Sequence, residues 1–511
     1  MTNAVRNIWR HADERPDQVA LREGTGSWTY AQVRAMVQHS AGELRRRGVG
    51  RGDTVLLVLP TSAEFVFTYY GVLSLGATAV TVNTLSTTPE LEYFLTDADC
   101  VLAIGFEDSC DPLGAAAANT GRTAWMVGPG SIEGLDGAVS MTDFVEVERD
   151  DAAALLYTSG TTGRPKGAVL THGNLLDSAE ALSTVQGSGP EDRLGTALPL
   201  FHVYGQVPVM AAIHHVGGSL SLLRRFDAVA MLETVVEHGL TEVAGVPTMW
   251  NEMLHAQTPL TRDDLAGLRI CLSGGAPLPV AVKLAFRERF GAHIVDGYGL
   301  TETSGAATCG SEQHELKEGS VGRAVPGTTL AILDPEGKVL PVGEVGEVAI
   351  DGRGVMREYW NRPEANESVR SGRWFRTGDV GRMDDDGDLW IVGRLKELII
   401  RGGYNVYPSE VEEVIYSHPA VLECAVIGIP DDRLGEEVAA VLVFKPGHSV
   451  EPSEMRLWLQ QRLSAYKVPR VYQVSDALPK GATGKILKRE IDPESVKSTG
   501  RLVRHQLEAR G

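Results

Sequence analysis

The chain has 511 residues, 43% of them hydrophobic and 23% charged, with a formal net charge of −19. That length carries two or more domains with sizeable cores, and that acidity excludes nucleic acid as a partner. Five scattered cysteines without a CxxC pair exclude a zinc site or a disulfide scaffold and fit a reducing cytoplasm. No secretory leader is read, because Asn7, Arg10, His11, Asp13 and Glu14 interrupt any apolar run. The most apolar stretch, residues 65–82, is short and broken by Thr68, Gly71, Ser74 and Gly76. It predicts a buried helix running into a strand, not a membrane span.

In chain order the pattern predicts a helix over 31–47, a strand over 54–59, a helix over 62–75 and a strand over 78–82. Short apolar strands follow at 194–198, 219–223, 242–244, 268–272 and 293–296, separated by helical stretches. This βα alternation predicts doubly wound, mostly parallel sheets, with sites at the carboxyl ends of strands. From about 320 to 393 short β-rich runs alternate with Gly, Pro and Asp turns, predicting a small β-barrel-like subdomain. A last unit, 396–511, predicts helices at 409–418 and 453–463 and strands at 421–429 and 438–444. The expected fold is therefore α/β, with a large N-terminal domain over 1–395 and a small α+β C-terminal domain.

Charge follows the same division. From Lys396 onward there are 16 Lys and Arg against 16 Asp and Glu, so residues 1–395 hold the whole acidic excess. Only 11 of the basic residues are lysines, and Lys166 is the first of them. Where arginine is the default cation, a lysine in a loop marks a place for a compact point charge. Lys166, Lys396, Lys480 and Lys485 stand out on that ground.

The chemistry concentrates in a few motifs. Thr158, Ser159, Gly160, Thr161, Thr162, Gly163 and Lys166 lie in one run, TSGTTGRPKG, between two apolar segments. Glycines let backbone N–H groups approach an anion, hydroxyls donate to phosphate oxygens, and Lys166 adds charge, so the loop suits a polyphosphate. It is not the common triphosphatase loop, because Pro165 stands where that motif needs glycine. His202 and Tyr204 end a predicted strand. The SGGAP run, with Gly275, Ala276 and Pro277, offers flat backbone for a planar ring. In DGYGLTET, residues 296–303, Tyr298 can stack on a base, Thr301 can bond a phosphate and Glu302 offers a hard oxygen to Mg²⁺. Asp379 sits in an RTGD turn, Arg394 two residues before Lys396, and Gly402 and Gly403 in a glycine-rich loop. Gly481 and Gly484 flank a loop that carries Lys485.

Taken together, in this order and across almost the whole chain, these motifs resemble the adenylate-forming superfamily of acyl- and aryl-CoA ligases, luciferases and peptide-synthetase adenylation domains. The resemblance implies ATP, Mg²⁺ and CoA as reactants and cofactor. It implies an ATP/AMP site from the Thr158–Lys166 loop, Gly275, Ala276, Pro277, Asp296, Gly297, Tyr298, Gly299, Thr301, Asp379, Arg394 and Lys485. It implies Glu302 and Thr161 as metal ligands, Lys485, Glu302, Thr161 and His202 as catalytic, and Gly402 and Gly403 at CoA. The C-terminal domain is then expected to be mobile, turning about Lys396. The acid pocket is expected at His202, Tyr204, Gly245, Gly275, Gly297, Gly299, Gly305 and Ala306. Between residues 198 and 216 no acidic residue awaits a substrate amine, which counts against an amino acid. The 225–227 stretch, Arg-Phe-Asp, and the Val-Pro-Thr-Met-Trp run look most like bacterial medium- to long-chain fatty acyl-CoA ligases. An aryl or cinnamate-like acid is the alternative, as is transfer to a carrier protein, an amine or another acceptor, with nitrite activation a further case. The enzyme is expected in the cytoplasm, as monomer or homodimer.

Overall fold

The computed structural model describes residues 2–107, 110–132, 143–158, 164–311, 317–481 and 484–503. It is a mixed α/β protein with a large N-terminal and a small C-terminal domain.

Two sheets build the large domain. In the seven-stranded sheet, Thr54–Val58 lies between Thr78–Thr81 and Leu102–Phe106, all parallel. Every residue of Thr54–Val58 is buried, as expected of a strand covered on both faces. The following helix, Ala63–Ser74, starts where the Ser62 hydroxyl accepts from the Phe65 N–H, and all its residues are buried. The 65–82 stretch is thus a core helix and strand. In the nine-stranded sheet six strands run parallel, with antiparallel pairs at both edges. The helix Tyr30–Arg46 is closed by a Thr29–Gln32 capping box, and one continuous core joins the two sheets.

The 320–393 stretch forms a five-stranded antiparallel sheet with its own small core of Leu330, Ile332, Val348, Ile350 and Leu389. It is open, where a barrel-like unit was expected. The long strand Trp374–Met383 takes Arg370–Ser371 along its first residues and Leu389–Arg394 along its last, and among the described residues no strand pair closes a ring. The small domain has a six-stranded sheet centred on the hairpin of Val421–Asp431 and Gly435–Phe444, with an apolar core on each face.

Two local features differ from simple expectation. Lys166–Thr171 pairs antiparallel with Ala152–Thr158, so Thr158 and Lys166 sit opposite each other at the mouth of a hairpin. Residues 159–163, which join them, lie outside the described residues. After Tyr204 the chain forms a π-helix, Gly205–Ala211, with Pro208 inside it. A Cβ on Gly205 would lie 2.5 Å from the Pro199 carbonyl oxygen, so only glycine fits at that corner. Wide π-turns of this kind often reshape a helix beside a site.

Candidate active site

A cavity of about 700 Å³ opens between the two large sheets, the antiparallel sheet and the small domain. Thr158, Lys166, His202, Tyr204, Gly275, Gly297, Gly299, Thr301, Glu302, Gly305, Ala306, Asp379, Arg394, Lys396 and Lys485 all line it. Residues more than 300 positions apart therefore meet in one place.

Glu302 sits in a short 3₁₀ turn, Thr301–Thr303, reversed by Ser304 at φ +55° and Gly305 at φ +87°. Gly299 and Gly305 are packed backbone to backbone, since a Cβ on Gly299 would lie 2.5 Å from the Gly305 carbonyl. The carboxylate is buried, and its Oε1 accepts from the Tyr359 hydroxyl at 2.7 Å and the Thr158 hydroxyl at 3.3 Å. The Lys166 ammonium lies 5.5 Å from the Tyr359 ring centre.

Asp379 and Arg394 are register partners on neighbouring strands. The Arg394 Nε donates to Asp379 Oδ1 at 2.9 Å, and the Tyr298 hydroxyl donates to Oδ2 at 2.7 Å. These three residues thus hold one another, and burial together with the Asp379 charge pushes the Tyr298 hydroxyl pKa well up.

The small domain inserts Lys485 into the cavity. Gly484, at φ +76°, passes so close to the large domain that a Cβ there would lie 2.7 Å from Thr248 Oγ1. The Thr248 hydroxyl donates to the Gly484 carbonyl at 3.4 Å. Burial first, and the Arg394 charge second, bring the Lys485 pKa down to about 8. His202 is pushed down to about 4, by burial and then by Lys485, so it is neutral at pH 7. Its Nδ1 accepts from the Tyr204 N–H at 3.2 Å, which leaves Nε2 to carry the proton. The Tyr204 hydroxyl donates to the Leu272 carbonyl at 2.9 Å, with the ring lying against Gly274. Lys396 is also shifted down, by burial and then by Arg394 and Lys166. Lys166, Arg394, Lys396 and Lys485 line the same cavity as Glu302 and Asp379, four cations to two carboxylates among these residues, a balance that suits a polyanion.

Some expected residues stand apart. Asp296 lies outside the lining and its carboxylate is ion-paired with Lys283 in a second cavity. Alternation along Ile294–Tyr298 explains this, since Gly297 faces the main cavity and its neighbours point elsewhere. Tyr298 reaches the lining only through its bond to Asp379. Gly245 is backed by Trp250, 3.3 Å from where its Cβ would be, and Val246 lines the cavity instead. Ala276 and Pro277 are outside the lining. Gly402 and Gly403 form a turn away from it, the Gly402 N–H donating to the Leu434 carbonyl at 2.8 Å. Lys480 is paired with Glu423 at 2.6 Å, a structural contact. Ser159, Gly160, Thr161, Thr162 and Gly163 lie outside the described residues.

Other lining residues were not singled out from the sequence. Tyr359 arrives on a two-residue strand paired to Lys166–Thr171, a long-range contact with no local signal. Leu182 and Gln186, one helical turn apart at the end of His172–Gln186, did carry one: the Gly187 stop signal marks the helix end and i, i+4 spacing puts them on one face.

The family model described as "AMP-binding enzyme" matches residues 8–360, and that of the "AMP-binding enzyme C-terminal domain" matches 410–485. The chain belongs to the AMP-binding enzyme family. That places it among the AMP-forming acyl-CoA synthetases of the adenylate-forming superfamily. It is 38% identical to a feruloyl-CoA synthase of an Amycolatopsis species, over 96% of this chain and 99% of that protein. It is also 38% identical to the long-chain-fatty-acid–CoA ligase FadD13 of Mycobacterium tuberculosis, over 90% of this chain and 92% of that protein. Its fold is similar to that of MatB from Rhodopseudomonas palustris, at 34% identity. The TM-score is 0.91 against the ATP-bound form, over 97% of this chain and 99% of that one, and 0.81 against the apo form, over 96% and 97%. No described helix is long and apolar enough to cross a membrane.

Proposed function

We propose that this enzyme activates a largely apolar carboxylic acid as its acyl-adenylate and passes the acyl group to CoA, releasing pyrophosphate and then AMP. The observation that carries this is that Lys485 lines the same cavity as His202, Arg394, Asp379 and Glu302, close enough to His202 and Arg394 to act on their charge. The higher similarity to the ATP-bound form of MatB supports the same arrangement as the adenylating one.

In the first half-reaction the acid's carboxylate oxygen attacks the α-phosphorus of ATP and the bond to pyrophosphate breaks. Lys485 offsets the charge gathering on the α-phosphate, while Lys166 and the 158–167 loop hold the leaving phosphates. Asp379 anchors the ribose, and Gly275, Gly297 and Gly299 leave room for the base. Glu302 fits a divalent cation: it is a buried carboxylate on the cavity wall whose two hydroxyl contacts both fall on one oxygen. With Thr161 it would hold Mg²⁺, which supplies charge neutralisation at the phosphates when bound. For the second half-reaction the small domain turns about Lys396, withdrawing Lys485 and bringing Gly402 and Gly403 to the pantetheine. The CoA thiolate then attacks the acyl carbonyl past neutral His202, and AMP leaves.

The acid half of the cavity is lined by Leu182, Leu198, Val203, Pro208, Leu272 and Ala306, without a charged side chain, which supports an apolar acid over a dicarboxylate. A cavity of about 700 Å³ shared with ATP supports a compact acid, aryl or medium-chain, over a long one. Pyrophosphate release across a panel of aryl and straight-chain acids, with and without CoA, tests the proposal. Acid-dependent release accelerated by CoA is expected. Absence of ATP–pyrophosphate exchange with every acid overturns it, and turnover with a carrier protein but not CoA would reassign the acceptor.

A further inference from the structure

We propose that Gln186 and Cys309 form a polar floor to the acid cavity, selecting a ring-sized acyl group with a hydrogen-bonding substituent, such as a hydroxyl, at the end remote from the carboxylate. This rests on the acid-activating function proposed above.

The cavity has two unlike ends. Lys485, Arg394, Asp379 and Glu302 mark the charged one. Leu182, Gln186, Thr308 and Cys309 mark the other, and all four are buried. Gln186 is the last residue of its helix, which is closed by Gly187 at φ +62°, and its carbonyl accepts from Arg269 Nη1 at 2.7 Å. Its position is therefore fixed by the fold. Its side chain is hydrogen-bonded to the Cys309 thiol, which also donates to the Gly310 carbonyl at 3.2 Å.

Cys309 also lines a second cavity, of about 480 Å³, on the far side. That cavity runs out to solvent past Leu284, which is 60% exposed. Cys309 is the residue common to the linings of both cavities. An amide is both donor and acceptor, whereas a thiol is a weak partner for either. A hydroxyl on the acid can replace the thiol in that bond with a gain, while a plain alkyl or phenyl end leaves the buried amide with its weak partner alone. An acid longer than the floor allows must displace a pinned helix end.

The test is kcat/KM for acid-dependent pyrophosphate release, measured for aryl acids with and without a distal hydroxyl and for straight-chain acids of increasing length. The parent enzyme should prefer the hydroxylated aryl acid over its deoxy counterpart by about tenfold or more. Gln186→Leu, which keeps the volume, should abolish that preference. Gln186→Ala should move the straight-chain optimum toward longer acids, as the tail passes beside Cys309 into the second cavity. Equal rates on the hydroxylated and deoxy acids in the parent, or an unmoved length profile in Gln186→Ala alongside normal exchange, overturns the floor and leaves acid activation standing. No exchange with any acid in the parent takes down both.

Discussion

At the residue scale, the fold shifts the protonation of two groups that line the cavity, Lys485 and His202. Lys485 has its pKa brought down to about 8 by burial and by Arg394, so it is charged below that pH and neutral above it. A cation about 4 Å from the α-phosphate is worth about 4 kcal/mol at an effective dielectric near 20, about a thousandfold in rate if felt mainly in the transition state. Lys485→Ala should therefore lose about three orders of magnitude in ATP–pyrophosphate exchange yet still form thioester from supplied acyl-adenylate. Equal loss of both half-reactions would remove Lys485 from its assigned step. Because kcat/KM reports the free enzyme, the parent's value for ATP should fall as pH rises through about 8. Lys485→Arg should carry that limb to higher pH, and an identical limb in both proteins would mean that another group titrates. His202, neutral above about pH 4, contributes shape and a hydrogen bond at neutral pH.

At the scale of elements, strand ends and helix ends place these side chains. Asp379 meets Arg394 because two antiparallel strands fall in register, and Glu302 meets Thr158 because a 3₁₀ turn abuts a hairpin mouth. Glu242, on the central strand Glu242–Gly245 of the nine-stranded sheet, shows what a buried ionisable group does to such an element. The Ser188 hydroxyl and Arg269 both reach its Oε1 at 2.6 Å, while Oε2 has no hydrogen-bond partner among the described residues, and burial pushes its pKa up to about 7. Folded, the group keeps its proton up to about pH 7; unfolded, it releases it near the ordinary carboxylate value. Its contribution to stability is therefore present at low pH and lost as pH rises through that window. Glu242→Gln should flatten the decline, read as urea midpoints at about pH 5 and about pH 8. A parent protein whose midpoint rises across the same interval would show that the Arg269 pairing dominates instead.

At the scale of the whole molecule, the small domain contributes Lys485 to the cavity, and the proposed two-step reaction requires it to withdraw afterwards. Thr248 against Gly484, and the Val280 N–H donating to Glu413 at 3.1 Å, are contacts between the two domains that such a movement would break. Lys396 lies between the strands Leu389–Arg394 and Ile399–Arg401, where a change of backbone angle would swing everything after it. Lys396→Pro fixes φ there and should spare ATP–pyrophosphate exchange while slowing overall thioester formation by at least about tenfold. Unchanged overall turnover would place the hinge elsewhere.

The short motifs, the alternation of strands and helices and the presence of a large N-terminal and a small C-terminal domain were readable in the chain itself, because they depend on local composition and spacing. The cluster of glycines, hydroxyls and a first lysine rests on the same local composition, and its phosphate-binding role is part of the proposal. Contacts between distant segments were not readable. Tyr359 on Glu302, the turning-away of Asp296 toward Lys283, the open antiparallel sheet and the sharing of Cys309 by two cavities each depend on which strands pair and in what register. Residues brought together from far apart in the chain leave no periodic trace along it, so only the packed molecule could decide them.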